Sequence, residues 1–381
     1  MKRQRKSGLR TLAAGSAVVS GALVLTACGS DNDSSPSGGP SKTTATATAG
    51  AGGIACGKSA TVQASGSTAQ EYAMQSWIKS YVRACPGTRI NYEGTGSGTG
   101  QTEFLQGKTA FAGSDSPLSA DQITQSKSVC TDGGHAVHLP MVGGPISVAY
   151  NLPGVSRLIL DAPTLAHIFN SQITKWNDPA IAKLNPGTKL PATPIQATHR
   201  SDSSGTTDNF TSYLSDAAPS AWPYSHSKEW KAKGSPSAKK SAGLADQVKQ
   251  TKGSIGYVEL SYAIARRIPT VAIATGASSP VDANVLTSSK AISESKVTGT
   301  GNDLVLKLNY ATKAPSSYPI NAVTYEIVCD KGNKPATWPA TKAFLTYMAS
   351  KKGQEDLSFQ GYATLPADVV NKVRSHINNL S

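Results

Sequence analysis

Hydrophobic and polar positions after residue 55 follow two patterns, short β-rich runs and apolar residues at helical spacing. Short β-rich runs predict strands at 59–63, 89–93, 109–113, 145–150, 195–198, 254–258 and 320–328. Apolar residues at helical spacing predict helices at 70–84, 163–169, 342–349 and 367–376. In the first helix Met74, Trp77, Ile78 and Tyr81 form one apolar face. Repetition of strand, helix and strand predicts an α/β fold with a parallel sheet.

These patterns extend over residues 56–381. A segment of this length exceeds what one hydrophobic core usually supports. Two domains are therefore expected, and no internal repeat relates them.

The N-terminal pattern is different and predicts targeting. Basic residues at 2–10 precede an apolar stretch at 12–25, which ends in small residues before Cys28. This order is typical of a bacterial lipoprotein signal at 1–27, with the thiol of Cys28 acylated after cleavage. An uncleaved anchor and plain secretion are the alternatives. Residues 28–55 are rich in Ser, Gly, Thr, Ala and Pro, which indicates a flexible tether after the lipidated cysteine.

Net charge changes this picture little. The whole chain carries +13, and without the five basic residues of the signal 32 Lys and Arg face 24 Asp and Glu, or +8. The basic residues are scattered apart from 228–240, which is expected to be a solvated loop, so nucleic-acid binding is not predicted. No His/Cys cluster has metal-ligand spacing, and His135 and His138 are expected to flank a strand, so no metal or cofactor is predicted.

Four cysteines follow Cys28, at positions 56, 85, 130 and 329. An even number in an exported chain predicts two disulfides, and spacing alone leaves three pairings open.

Three loops share one chemistry, at 64–69, 94–100 and 200–206. Each joins a predicted strand to a helix N-terminus and is rich in Gly and hydroxyl side chains, and the third begins with Arg200. Helix N-termini offer free N–H donors to an anion, and Ser and Thr add O–H donors. Any one loop could be an ordinary helix cap, but together they predict an oxyanion site. The dinucleotide and P-loop fingerprints are both absent.

Asp115 is an unusual residue to find beside such loops. It follows the predicted strand that ends at Gly113, and the alternative role is to cap a helix that begins near Ser119. Phosphate still carries a proton at neutral pH. An ionised carboxylate would accept that proton in a hydrogen bond and repel fully ionised sulfate.

These segments resemble the phosphate-binding proteins of Pst-type ABC importers, a branch of the bacterial periplasmic-binding-protein family. The matching stretches are 66–68, 94–98, 111–119, 168–169, 173–178, 200–206 and 253–257. The family often has Phe after the first Thr, whereas Ala69 stands here.

The resemblance implies a set of phosphate contacts. Thr68 would donate hydrogen bonds from its hydroxyl and its N–H, and Ala69 from its N–H. Ser97 would donate at the second loop. Asp115 would accept the phosphate proton, and Arg200 would bind the anion while Asp202 holds its guanidinium. Ser204, Gly205 and Thr206 would complete the third corner.

The fold that the resemblance implies is the two-lobed, type II periplasmic-binding-protein fold, with two strands crossing the hinge and the ligand cleft between the lobes. We expect lobe one at 56–142 and 322–381, and lobe two at 143–321. All four cysteines then fall in lobe one. Because the first strand begins near Cys56 and the returning helix ends at Cys85, we expect Cys56–Cys85 and Cys130–Cys329.

The implied function is capture of inorganic phosphate and its delivery to the permease and ATPase subunits of an ABC importer. We expect a lipid-anchored extracellular monomer at the outer face of the cytoplasmic membrane, without catalytic activity. The alternatives are a receptor for sulfate, molybdate or an organic phosphate, an enzyme, and a scavenging or sensing receptor with no transporter of its own. No G-x-S-x-G elbow supports an enzyme, and the S-x-x-K sequence at 237–240 lacks its partner motifs.

Overall fold

A computed structural model of the chain describes residues 53–355 and 357–381. The predicted signal at 1–27, Cys28 and the tether up to residue 52 lie outside the described residues. Within the described part, none of the helices combines the length and the apolar character needed to cross a membrane.

A mixed sheet of eight strands forms the centre of the structure, in the order β2-β1-β3-β12-β4-β8-β6-β7. Two small pairs, β5-β9 and β10-β11, lie outside it. The strands are β1 Thr61–Gly66, β2 Arg89–Gly94, β3 Phe111–Ser114, β4 Ala136–Tyr150, β5 Ile159–Asp161, β6 Gln196–Arg200, β7 Ser237–Ala238, β8 Ser254–Glu259, β9 Ala272–Ala274, β10 Lys296–Val297, β11 Leu306–Lys307 and β12 Asn321–Cys329.

Helices connect most of these strands. They are α1 Glu71–Ala84, α2 Ser97–Leu105, α3 Ala120–Ser126, α4 Ala162–Phe169, α5 Pro179–Leu184, α6 Gly205–Ala217, α7 Lys240–Gln250, α8 Leu260–Arg266, α9 Val285–Ser293, α10 Trp338–Met348, α11 Lys351–Glu355 and α12 Ala367–Asn379. On α1 the predicted apolar face is buried through Met74, Trp77 and Tyr81. The strands and helices predicted from the two sequence patterns all overlap strands and helices of the structure.

The expectation of a parallel sheet is wrong. The pairs β1-β2, β1-β3 and β6-β8 are parallel, but β12 runs antiparallel to β3 and β4, and β4 runs antiparallel to β8. The physical reason is that β4 and β12 link two parallel half-sheets. β4 pairs with β12 up to Pro145 and with β8 from Ile146 onwards.

Two large hydrophobic cores lie along this sheet. One contains buried residues from 146 to 322, and the other contains residues from 54 to 142, Leu304 and residues from 328 to 380. A smaller cluster adds Ile292 and Leu306 to Val323 and Tyr325 of β12. Buried side chains thus change core between Val142 and Ile146 on β4, and again after Ala322 on β12. The lobe boundaries stated above stay a prediction.

Both disulfides have the expected pairing. Cys56 is bonded to Cys85, 29 residues apart, and Cys130 to Cys329, 199 residues apart. The second bond joins the segment before β4 to the end of β12.

Candidate oxyanion site

The three predicted loops meet at one place, where β1, β2 and β6 end and α1, α2 and α6 begin. Backbone hydrogen bonds fix them together. Gly96 N donates to Gly66 O at 2.8 Å, and Gly98 N donates to Ser203 O at 3.2 Å. The end of β3 joins them, because Ser67 N donates to Gly113 O at 2.7 Å. Helix N-termini from distant parts of the sequence therefore face a common point.

Glycine at two positions lets these loops approach one another. A Cβ on Gly98 would lie 2.0 Å from the Ser203 hydroxyl, and one on Gly205 would lie 2.6 Å from both Asp115 Cβ and Ser97 Oγ. Any side chain at either position would push the loops apart. The glycines predicted to admit an anion also admit the neighbouring loop.

Asp115 is buried where the loops meet and accepts three hydrogen bonds. Its Oδ1 accepts from the Ser67 hydroxyl at 2.6 Å and the Thr324 hydroxyl at 2.7 Å, and its Oδ2 accepts from the Ser97 hydroxyl at 3.1 Å. Burial raises the pKa of Asp115 to about 6, although hydrogen bonds from Ser67 and Thr324 oppose the rise. The carboxyl is thus mostly ionised at neutral pH. It does not cap α3, whose N-cap is Ser119 with a complete capping box.

Arg200 is the buried cation of the site, with 2% of its surface exposed. Its Nε donates to Asp202 Oδ1 at 2.8 Å and its Nη2 to Asp202 Oδ2 at 2.5 Å. Burial works to lower the pKa of Arg200, but this bidentate pair raises it above its ordinary value. Asp202 therefore holds the guanidinium, as the resemblance implied, and leaves Nη1 directed elsewhere.

The Nη1 of Arg200 lies among hydroxyl groups. It donates to Ser241 Oγ at 3.1 Å and reaches Thr206 Oγ1 at 3.5 Å. The Thr206 hydroxyl donates to Glu259 Oε1 at 2.5 Å, so it already has an acceptor within the site. Ser204 caps α6, its Oγ accepting from Thr207 N at 3.2 Å.

The first loop is held by tyrosines from outside it. The carbonyl of Thr68 accepts from the Tyr262 hydroxyl at 2.9 Å, and that of Ala69 accepts from the Tyr362 hydroxyl at 2.9 Å. The Ala69 N–H, a predicted anion donor, donates to Ser67 Oγ at 3.0 Å. The predicted residues are therefore brought together, but several already have partners within the site.

Four polar side chains of the site were missed by sequence reasoning: Ser67, Thr324, Ser241 and Glu259. Ser67 lies in a predicted loop, and its hydroxyl was a usable signal. Thr324 lies inside an apolar strand, and Glu259 is the last residue of another. A single polar residue at such a position gives no functional signal. Ser241 directly follows the basic stretch at 228–240, which was expected to be a solvated loop.

The balance of charge in the site is unusual for a place that would bind an anion. Among the described residues of the site, the buried Arg200 is accompanied by the carboxyl groups of Asp115, Asp202 and Glu259. Attraction for an anion must therefore come mainly from N–H and O–H donors and helix N-termini. Such a site suits a tetrahedral oxyanion that still carries a proton for Asp115. In the part of the chain that the structure describes, no cluster of His, Cys, Asp or Glu could hold a metal ion.

Comparison with known proteins agrees with this chemistry. The family model described as the PBP superfamily domain matches residues 38–352. Phosphate-binding protein PstS 2 of Mycobacterium tuberculosis is 42% identical over 375 residues, covering 98% of this chain and 99% of the relative. Phosphate-binding protein PstS of Xylella fastidiosa is 33% identical over 312 residues, covering 79% of this chain and 80% of the relative.

Solved structures share the fold at lower identity. A high affinity periplasmic phosphate-binding protein with bound phosphate has a TM-score of 0.68 and 21% identity, over 83% of this chain and 93% of that one. The phosphate binding protein of Stenotrophomonas maltophilia has a TM-score of 0.62 and 21% identity, with the same coverage of 83% and 93%. The fold is that of these α/β binding proteins, and the chain belongs to the PBP superfamily and, within it, to the family of the phosphate-binding proteins PstS.

Proposed function

We propose that this protein captures inorganic phosphate outside the cytoplasmic membrane and delivers it to an ABC importer. The observation that carries the proposal is Asp115, a buried carboxylate set among hydroxyl donors at the helix N-termini that surround Arg200. A protonated tetrahedral anion satisfies both the donors and the acceptor. The names of the PstS relatives support the same ligand.

Each predicted residue has a role in this proposal. Arg200 Nη1, together with N–H groups of Gly205 and Thr206, binds oxygens of the anion, and Ser204 presents them by capping α6. Thr68, Ala69 and Ser97 donate from the opposite side. Asp115 accepts the phosphate proton, and Asp202 keeps Arg200 in place.

Binding occurs by closure of two lobes in this proposal. Thr68, Ser97 and Asp115 belong to the expected lobe one, and Arg200 with residues 204–206 to lobe two. An anion that contacts both groups stabilises the closed state, because these contacts are lost when the lobes separate. The closed form then docks on the permease, and no chemistry occurs on the ligand.

The location completes the proposal. Acylated Cys28 holds the protein at the outer face of the membrane, and the segment up to residue 55 lets the folded part reach the permease and ATPase complex. A monomer is sufficient, since one chain provides the whole site.

Titration calorimetry with phosphate and sulfate tests the ligand. We expect tight phosphate binding and a sulfate affinity lower by at least about a hundred-fold, or about 3 kcal/mol. Arg200→Ala should lose most of the phosphate affinity, because it removes a buried cation of the site and leaves Asp202 without its charged partner. Arg157→Ala is the control, since its pair with Asp282 is exposed. Equal affinity for the two anions, or a preference for sulfate, would reject the proposal.

A further inference from the structure

A fourth helix N-terminus reaches the site, and it comes from the basic stretch at 228–240. This stretch is not a solvated loop throughout: the Lys228 carbonyl accepts from Ser204 N at 3.0 Å, and β7 pairs with β6 so that Ala238 lies beside Arg200. Lys240 N donates to Asp202 Oδ1 at 2.9 Å. The start of α7 is therefore fixed to the same carboxylate that holds Arg200.

This arrangement places Ser241 in the middle of the site. Its side chain is buried, and its Oγ lies 2.8 Å from Thr68 Oγ1 and 3.1 Å from Arg200 Nη1. Its N–H donates to Thr68 Oγ1 at 3.3 Å. Thr68 precedes α1 and Ser241 lies in the first turn of α7, so the pair links elements that belong to the two different large cores.

The hydrogen atoms of this pair can be counted. The two hydroxyls have one hydrogen each, and the bond between them uses one. Ser241 Oγ also accepts from Arg200, and Thr68 Oγ1 also accepts from the Ser241 N–H. Among the described residues neither hydroxyl has a further acceptor, so one hydrogen remains to be donated, whichever way the shared bond runs.

We propose that Ser241 is a positioning residue for the bound anion: the Thr68–Ser241 pair supplies a single shared O–H donor and links α1 to α7 when phosphate is held between them. This inference rests on the proposed function. Ser241 sets the direction of the Thr68 hydroxyl in one arrangement and donates to the anion itself in the other. Arg200 makes either arrangement more effective, because its charge polarises the Ser241 hydroxyl.

Phosphate titration of matched serine variants tests this inference. Ser241→Ala should weaken phosphate binding by about ten-fold, and Ser241→Thr, which keeps the hydroxyl, should stay within about three-fold of the unaltered protein. Ser254→Ala is the matched control. Its buried hydroxyl donates to Val248 O at 2.8 Å and ties the other end of α7, so its loss should lower stability but leave phosphate affinity unchanged.

A double-variant cycle separates a shared donor from a structural role. Thr68→Val should weaken binding, and adding Ser241→Ala should cost little more, because both changes remove the same donor. Additive losses, unchanged affinity in Ser241→Ala, or equal losses in Ser241→Ala and Ser254→Ala would each overturn the inference.

Two further readouts keep the outcome clear. Thermal unfolding shows whether Ser241→Ala is folded. If it is not, Ser241→Cys is measured instead, because its thiol is a weaker donor of similar size. Ser241→Cys should then bind phosphate more weakly than the unaltered protein and Ser241→Thr. Failure of the unaltered protein to bind phosphate would reject the proposed function. Normal binding by both the unaltered protein and Ser241→Ala would reject only the role of Ser241.

Discussion

Burial raises the pKa values of two carboxyl groups near the site to different extents. Burial raises the pKa of Asp115 to about 6 and that of Glu326 to about 8. Asp115 accepts hydrogen bonds from three hydroxyls, whereas the amide of Gln70 compensates only weakly for the burial of Glu326. At neutral pH Asp115 is therefore mostly ionised, and Glu326 on β12 is mostly neutral.

Replacing Asp115 by asparagine should change the choice of anion. The amide keeps the shape of the side chain but adds N–H donors and removes the negative charge. We expect the ratio of sulfate to phosphate affinity to rise by at least about ten-fold in Asp115→Asn, measured by calorimetry. Asp121→Asn on the exposed first turn of α3 is the control. An unchanged ratio would mean that Asp115 does not discriminate between the anions.

The same carboxyl predicts a pH dependence in the unaltered protein. As pH falls through about 6, Asp115 gains a proton and can donate to a fully ionised oxygen. Sulfate affinity should therefore increase from about pH 8 to about pH 5, and this increase should be absent in Asp115→Asn. A flat sulfate profile in the unaltered protein would contradict the prediction.

Glu326 should make the protein less stable as pH rises. In the unfolded chain its carboxyl ionises near the ordinary value of 4.5, but in the folded chain only near 8, so stability is lost across that interval. Glu326→Gln cannot ionise and should gain about 5 °C or more in Tm relative to the unaltered protein between about pH 5 and about pH 8. Glu93→Gln at an exposed position of β2 is the control. Parallel Tm curves for Glu326→Gln and the unaltered protein would show that burial does not suppress this ionisation.

At the scale of elements, the position of α2 depends on close backbone contact with β1. A Cβ on Gly100 would lie 2.4 Å from Gly66 Cα and 2.9 Å from Ser65 O. Neither contact can be relieved by turning a side chain, so α2 or the first loop would have to move.

Two helical glycines provide a matched test of this contact. Gly100→Ala should destabilise the protein and weaken phosphate binding by about ten-fold, because the first loop moves away from Ser97. A Cβ on Gly243 of α7 meets nothing closer than 3.9 Å, so Gly243→Ala should stabilise by about 0.5–1 kcal/mol and leave binding unchanged. Denaturant unfolding and calorimetry measure both effects. If the two variants behave alike, the contact between α2 and β1 does not matter.

Particular residues show how far sequence reasoning reached. The glycines and hydroxyls of three loops indicated the site, because their composition differs from that of a core element. Thr324 and Glu326 lie two residues apart on an apolar strand. Only the three-dimensional structure reveals that Thr324 donates to Asp115 and that Glu326 is buried with little compensation from Gln70. Ser241 was missed because the lysines before it suggested a solvated surface. The antiparallel direction of the crossing strands could not be predicted, because the local hydrophobic pattern carries no information on strand direction.

At the scale of the whole molecule, the two disulfides close loops of very different length. In the chain-entropy model the 29-residue separation contributes about 3.6 kcal/mol and the 199-residue separation about 5.3 kcal/mol. Replacing both Cys130 and Cys329 by serine should therefore cost about 1.7 kcal/mol more than replacing Cys56 and Cys85. Denaturant unfolding of the two double variants measures the difference, and the opposite order would contradict the prediction.

The place of β12 in the sheet also determines the order in which the chain can be assembled. β3 has β12 as its second neighbour, so the half-sheet β2-β1-β3 keeps an open edge until residues 321–329 arrive. β8 and β6, by contrast, need only the end of β4. If the chain folds in order from its N-terminus, its earliest strands therefore stay incompletely paired while its middle folds. During that interval Cys130 stays without its disulfide partner Cys329. The unpaired edge of β3 is then exposed, and a chaperone can bind to it.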